Sequence, residues 1–402
     1  MGLNKTKVTI LLNDESASWD VTANVTSVST SVGKNRQLDE FRPGTAQITL
    51  TNFNREFDPL NTSSAFYGAV IPKASKVWIT FERTGVPTSR FIFVGYIDDW
   101  SFDYSVNGEA TATFSASEAT ALFARQFILA TSFPAELSGA RVARVLADSG
   151  VAYDQIVSSA ADQIDAGTQM LDADATCEGQ NVLEYLNNVA VSEQGAFFYD
   201  TNGALTFEDN GTSATNTINN ANRLFTDDGT ATAYPYNNVD IGYTSQLLYN
   251  KIKVSPAVPV TVNSVTLNLT SSQTTYSIST LEIDNILYAT ETKLTNLGLL
   301  LIRKYGTPEY RISSLVVPFI SFSDSLQDSL LAFAGVNSFM KVKFQPNGIG
   351  TSIEAYVRVV GVEHSIELDN HQIKYYLESL RSPSLVLDDV EFGKLDTYSL
   401  GL

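Results

Sequence analysis

Two histidines and one cysteine are the only imidazole and thiol ligands in the chain: His364 and His371 lie seven positions apart near the ends of two strand-like runs, and Cys177 stands alone. A zinc centre takes three or four nitrogen or sulfur ligands, so one here would have to recruit carboxylates. Satisfied or solvent-facing histidines are the simpler reading, and no metal is expected. Carboxylates are plentiful, with 44 Asp and Glu and adjacent pairs at Asp98-Asp99, Asp227-Asp228 and Asp388-Asp389. A glycosidase requires only two carboxylates at a fixed separation. Neighbouring acids nevertheless arise by chance at this density, and Asp98-Asp99 falls at a strand-to-turn step, where Asp is a turn former. The templates G-x-S-x-G, G-x-x-x-x-G-K-S/T and H-E-x-x-H do not occur, which leaves hydrolase, nucleotide-loop and zincin chemistry without an anchor. DTNGALTFED, residues 200–209, has the composition of a calcium loop without its D-x-D/N-x-D/N-G spacing and reads as a hairpin tip. No catalytic constellation and no cofactor site emerge, so a non-enzymatic protein is expected.

Lys and Arg number 26 against those acids, a formal net charge of −18. That balance argues against gripping duplex DNA or an anionic membrane through counterion release. It would suit a conduit that nucleic acid must traverse without sticking. A single cysteine allows no intrachain disulfide, so stability has to come from packing or assembly. The N-terminal MGLNKTKVTILLND is too short and too polar in its flanks for a signal core or a membrane span, and no apolar run of membrane length occurs elsewhere. A soluble product made in a cytoplasm is expected. At 402 residues the chain should form two or three domains, since single cores seldom grow past roughly 250–300 residues.

The elements that would position any site are mostly strands. From residue 7 to about 115 the runs VTILL, VTANVTSVSTSV, TAQITLT, KVWITFE, RFIFVGYI and WSFDYSVNGEATATFSA alternate apolar with polar residues, and Asn107-Gly108 marks a two-residue hairpin turn. Six such runs at short spacing predict a β-barrel or sandwich, residues 1–125. A small α+β insertion follows over 126–215. Ser115 to Glu118 matches a capping box, and SGARVARVLADSG predicts a helix with Val142, Val145 and Leu146 on one face and Gly150 as its stop. Val182, Leu183, Leu186, Val189 and Ala190 form the stripe of a second helix, and Asn202-Gly203 turns a hairpin between AFFYD and ALTFE. Residues 210–233 read as loop or boundary. The region 216–402 is again mainly β, with one helix over about 286–305 that ends at Gly306 and Pro308, and a short tail, DDVEFGKLDTYSLGL, with no room for a further domain.

One stretch is punctuated far more heavily than a strand needs. In LDEFRPGTAQITLTNFNREFDPLN, residues 38–61, Pro43-Gly44 predicts a tight turn, Ala46, Ile48 and Leu50 form the apolar face of a half-buried strand, and Asp58-Pro59 stops it. The connection 52–75 that follows exceeds the ~12–15 residues usual for an unstructured loop, so it should have a role. Phe57, Phe66 and Tyr67 either tuck beneath the β domain or lie at a subunit contact, where aromatics are enriched.

Arg36-x-Leu38-Asp39-x-Phe41-x-Pro43-Gly44, then Arg55-x-Phe57-Asp58-Pro59-Leu60, Phe66-Tyr67-Gly68 and VGYIDDW resemble the N-terminal signature of minor tail proteins of long-tailed, siphovirus-type phages of actinobacteria. Residues 179–208 are similar to the inserted domain of that family, and RKYGTPEYRISSL with VVGVEHSIELDNHQIKYYLESL to its C-terminal β domain. The resemblance implies a mainly β fold in which two β-barrel hub domains flank the small α+β insertion. It implies a tail-tip baseplate hub forming a homotrimeric ring that adapts the sixfold tube to a threefold tip. The expected partners are the distal tail protein, the tape-measure protein and other minor tail or fibre proteins, with DNA met only in passage and no stable membrane association. The residues of the signature become candidates for assembly, and Arg55 is expected to pair with Asp39 or Asp58 at the base of the projecting connection. Two alternatives remain open: a hexameric distal tail ring, and a carbohydrate-binding receptor module using Trp78 and Trp100.

Overall fold

The computed structural model describes residues 5–68, 75–82, 90–106, 108–153, 155–210, 223–229, 233–243, 245–257, 263–288 and 290–380. The expected tail, DDVEFGKLDTYSLGL, lies outside them, as do Asn107 and most of the 210–233 segment.

The chain is mainly β with an α+β insertion. Seven strands open it: β1 (Thr6–Leu12), β2 (Ser18–Asp20), β3 (Val25–Gly33), β4 (Arg42–Thr51), β5 (Ser75–Phe81), β6 (Arg90–Tyr104) and β7 (Ala110–Ser117), followed by the short helix α1 (Thr120–Phe123). The insertion contains β8 (Glu136–Leu137), α2 (Ser138–Leu146), β9 (Gln163–Ile164), β10 (Met170–Leu171), α3 (Val182–Glu193), β11 (Ala196–Tyr199) and β12 (Leu205–Glu208). Then come β13 (Leu224–Thr226), β14 (Asn238–Tyr243), β15 (Lys251–Pro256), β16 (Val265–Asn268), α4 (Thr270–Tyr276), β17 (Thr280–Ile286), α5 (Glu291–Tyr305), β18 (Tyr310–Val317), α6 (Asp324–Phe333), β19 (Phe339–Phe344), β20 (Ile353–Glu367) and β21 (Asn370–Leu380).

The two β regions are joined in one 13-stranded sheet, ordered β14-β18-β21-β20-β3-β4-β7-β6-β5-β1-β2, with β19 on β20 and β13 on β19. The join is the antiparallel β3–β20 ladder, from Gly33↔Gly361 to Ser27↔Glu367. β20 is long enough, at 15 residues, to pair with β19 through its first part and β3 through its second. Glycine is required at the crossing. A Cβ on Gly33, where φ is +83°, would lie 2.4 Å from the Val360 carbonyl oxygen, and one on Gly361 would lie 2.4 Å from that of Lys34.

Two cores result. One runs beneath both β regions and includes Ile48, Phe57, Phe114, Leu315 and Tyr375; the other unites the insertion with β15–β17 and α5. Strand β11 serves both, because its side chains alternate: Ala196 and Phe198 enter the first, Phe197 and Tyr199 the second. The segment 251–305 therefore shares its core with the insertion rather than with the C-terminal strands.

Several sequence expectations change. Pro43-Gly44 lies inside β4 and makes no turn. Proline is tolerated because it falls at a β-bulge, where the β3–β4 register shifts between Ser31 and Gly33, and the Gly44 amide donates to the buried Glu118 carboxylate at 2.7 Å. That bond also replaces the expected capping box, since Ser115 to Ser117 belong to β7. The helix expected from about 286 starts at Glu291, and Ile286 is instead the last residue of β17. Helix α6, capped by the Ser323 side chain on the Leu326 amide, and helix α4 were not anticipated.

Candidate assembly surface on two connections

Strand β4 separates the candidate residues into two groups. Its alternation is as expected, with Ala46, Ile48 and Leu50 buried and Gln47 exposed. Its 10 residues span about 30 Å, so the connection before it and the connection after it lie at opposite ends.

The connection after β4 is built from successive turns. Backbone amides donate three residues back at regular intervals: Arg55 to Asn52 (2.9 Å), Asp58 to Arg55 (3.3 Å), Asn61 to Asp58 (3.0 Å), Ser64 to Asn61 (3.0 Å) and Tyr67 to Ser64 (3.1 Å). Arg55, at φ +55°, makes the first bend. Its Nε and Nη2 donate to Asp58 Oδ2 at 2.8 and 2.6 Å, which selects Asp58 over Asp39 as the partner. Asp58 Oδ1 accepts from the Leu60 amide at 2.8 Å, and Tyr104 donates its hydroxyl to Oδ2 at 2.9 Å. The Leu60 amide and then the Arg55 guanidinium hold the Asp58 carboxyl below the usual range, and Asp58 in turn holds Arg55 above its usual range. Asn52 Oδ1 closes the base by accepting from the Phe57 amide at 3.1 Å.

This arrangement divides the aromatics. Phe57 is buried in the first core, 5.9 Å from Trp100, and Phe66 packs 4.8 Å from Phe57 and 5.7 Å from Trp19. Phe53, Leu60 and Tyr67 point out, 65%, 80% and 53% exposed, and Pro59 and Gly68 are exposed with them. Residues 69–74 of the expected connection lie outside the described residues.

The connection before β4 is an internal joint. Arg36 and Asp39 are exposed, Leu38 packs toward the second core and Phe41 toward the first. The Asn187 side-chain amide in α3 donates to the Phe41 carbonyl at 3.2 Å, and Lys34 lies 4.9 Å above the Phe41 ring. Asn52, Tyr104, Trp19 and Asn187 complete these sites yet carry no local sequence signal, because each reaches its partner only through the fold.

The two histidines, Asp98, Asp228, Trp78 and Trp100 all make contacts within the chain. His364 Nδ1 and His371 Nε2 lie 3.0 Å apart across the β20–β21 hairpin, both buried. Burial lowers His364 to about 3 and holds His371 well below its usual value. Among the described residues no group of three or more His, Cys, Asp and Glu could hold a metal ion, and no helix is long and apolar enough to cross a membrane. Ser117 donates to Asp98, Lys343 pairs with Asp228 at 3.1 Å, and Asp388-Asp389 lies outside the described residues. Trp78 packs edge-on to Phe91 at 5.6 Å, and Trp100 stacks among Phe57, Phe102 and Phe114, so neither forms an open sugar platform.

No protein-family model and no curated protein matches the sequence. Solved structures do match over nearly the whole chain. The 43 kDa tail protein of prophage MuSo2 from Shewanella oneidensis aligns at a TM-score of 0.56 and 12% identity, covering 92% of this chain and 97% of that one. The tail protein from Neisseria meningitidis MC58 aligns at 0.61 and 9% identity, covering 94% and 97%. An E. coli component of the type VI secretion system, described as similar in structure to the T4 bacteriophage tail proteins gp27 and gp5, aligns at 0.50 and 10% identity, covering 89% and 74%. The chain therefore shares the fold of the first two, both described as tail proteins, over more than nine-tenths of its length.

Proposed function

We propose that this protein is a structural component of a phage tail tip, a homotrimeric hub ring that closes the tail tube and adapts its sixfold symmetry to a threefold tip. The observation that carries the reading is the match to two tail proteins over 97% of each of their lengths. The continuous sheet supports it, since two β regions in one chain supply two ring positions per subunit. The net charge of −18 suits a passage through which DNA slides during ejection. The expected neighbours are the distal tail protein, the tape-measure protein and the minor tail or fibre proteins. The projecting connection with Phe53, Leu60 and Tyr67 is the surface offered to an adjoining subunit or ring. In this reading the protein performs no catalysis.

Light scattering of the purified protein over a range of concentration tests the assembly. A mass three times the 43.8 kDa of one chain is expected. A hexamer would replace the hub with a distal ring, and a monomer at every concentration would remove the self-assembling ring.

A further inference from the structure

Behind the connection that precedes β4 lies a cavity of about 120 Å3, bordered by Lys34, Phe41, Leu301, Lys304, Arg358 and Glu378. It sits where that connection, α5 and the β20–β21 hairpin meet. Its inner wall holds more positive than negative charge. Glu378 is buried and accepts from both Lys304 and Arg358, the latter through Nε at 2.8 Å. Lys34 reaches the same space from the end of β3. Its ammonium donates to the Gln37 carbonyl at 3.1 Å, and among the described residues it makes no ion pair. The nearby Arg311 is already matched by Glu309 at 2.8 Å. Asp39 and Glu40 border the cavity too, but both are exposed on the connection, where water and salt screen them. One buried carboxylate thus faces three cations, a balance that a small anion would complete.

We propose that this cavity binds a phosphate-sized oxyanion, with Lys34 as its principal ligand and Arg358 and Lys304 completing the cradle. The anion would join three separate elements, fastening the connection to α5 and to the sheet, and would stabilise the folded chain by mass action. Lys34 behaves as a cation short of a partner: burial, reinforced by Arg358 and Lys304, outweighs the attraction of Glu378 and Asp39 and lowers it to about 8. The site stands apart from the tail-tip reading and does not depend on it.

Sulfate is the probe, because its charge is constant through the range in which Lys34 titrates. Calorimetric titration of the full chain with sodium sulfate at pH 7, against sodium chloride at matched ionic strength, should show saturable heat. Binding should weaken by about tenfold at pH 10, when Lys34 has lost its charge, and Lys34→Met should weaken it by about tenfold or more at pH 7 while leaving the melting temperature in chloride nearly unchanged. No saturable heat at pH 7, equal binding at pH 10, or undiminished binding to Lys34→Met would each overturn the proposal. The pH comparison needs only the unmodified protein, so it decides the matter even if the variant folds poorly.

Discussion

The connections at the two ends of β4 have similar sequences and opposite structures. Each carries an Arg, a Leu-Asp or Phe-Asp step and an aromatic. The one before the strand is gathered into the molecule, with Leu38 and Phe41 packed toward different cores and Lys34 over a shared cavity. The one after it is held by its own backbone turns and by Asp58, and among its described residues turns Phe57 and Phe66 toward the core. A residue pattern that punctuates the chain therefore does not say which way a loop faces. What decides it is whether the loop's polar groups find partners in distant elements or within itself.

The comparison is broken most forcibly at the buried side. Glu378→Gln leaves Lys304 and Arg358 without their common carboxylate, and chemical denaturation should show a loss of about 3–5 kcal/mol. A loss under about 1 kcal/mol would mean that water already compensates these charges. Next comes Glu118, which anchors the Gly44 amide at the near end of β4. Burial pushes its carboxyl from 4.5 up to about 7. The folded chain holds that proton more tightly than the unfolded one, so the contribution to stability is full below about 4.5 and is lost as pH rises through about 7. Glu118→Gln should remove that decline and gain on the order of 3 kcal/mol at pH 8 relative to the parent. His364 acts in the other direction: lowered from 6.5 to about 3, it contributes above 6.5 and loses that contribution as pH falls. Parallel melts of the parent and of Glu118→Gln at pH 5 and pH 8 separate the two groups, because the variant keeps only the His364 dependence.

The smallest effect on folding belongs to the projecting connection. Leu60→Ser and Tyr67→Ser should change stability by less than about 0.5 kcal/mol, yet lower the assembled mass seen by light scattering. Arg55→Ala should likewise impair assembly more than it lowers the melting temperature, because the Asp58 carboxylate keeps its bonds to Leu60 and Tyr104. Equal losses of melting temperature and of assembly would make this loop an ordinary part of the core.

Much of this fold is legible in local sequence, because period-two strands and capped helices write themselves into a few neighbouring residues. The hairpin at Asn202-Gly203, the strand through Ala46, Ile48 and Leu50, and the helix through Val182 and Leu186 were all readable that way. Long-range partners were not. Tyr104 meets Asp58 at 46 positions' separation, and Glu118 meets Gly44 at 74. Nothing near Pro43-Gly44 discloses that a distant carboxylate will take the place of a turn. For Arg55 the sequence narrowed the partner to Asp39 or Asp58 and the structure chose the nearer one, whereas the cavity at Lys34 draws on residues 34, 304, 358 and 378 and has no contiguous signature.

Strand β11 couples what would otherwise be two folding units. Ala196 and Phe198 belong to one core while Phe197 and Tyr199 belong to the other, and β6 divides its side chains in the same way, with Phe93 on one side and Val94 on the other. Melting either core strips these strands of half their burial, so the loss spreads to its neighbour. The two cores are therefore coupled through strands they share, and packing lost in one is felt directly in the other.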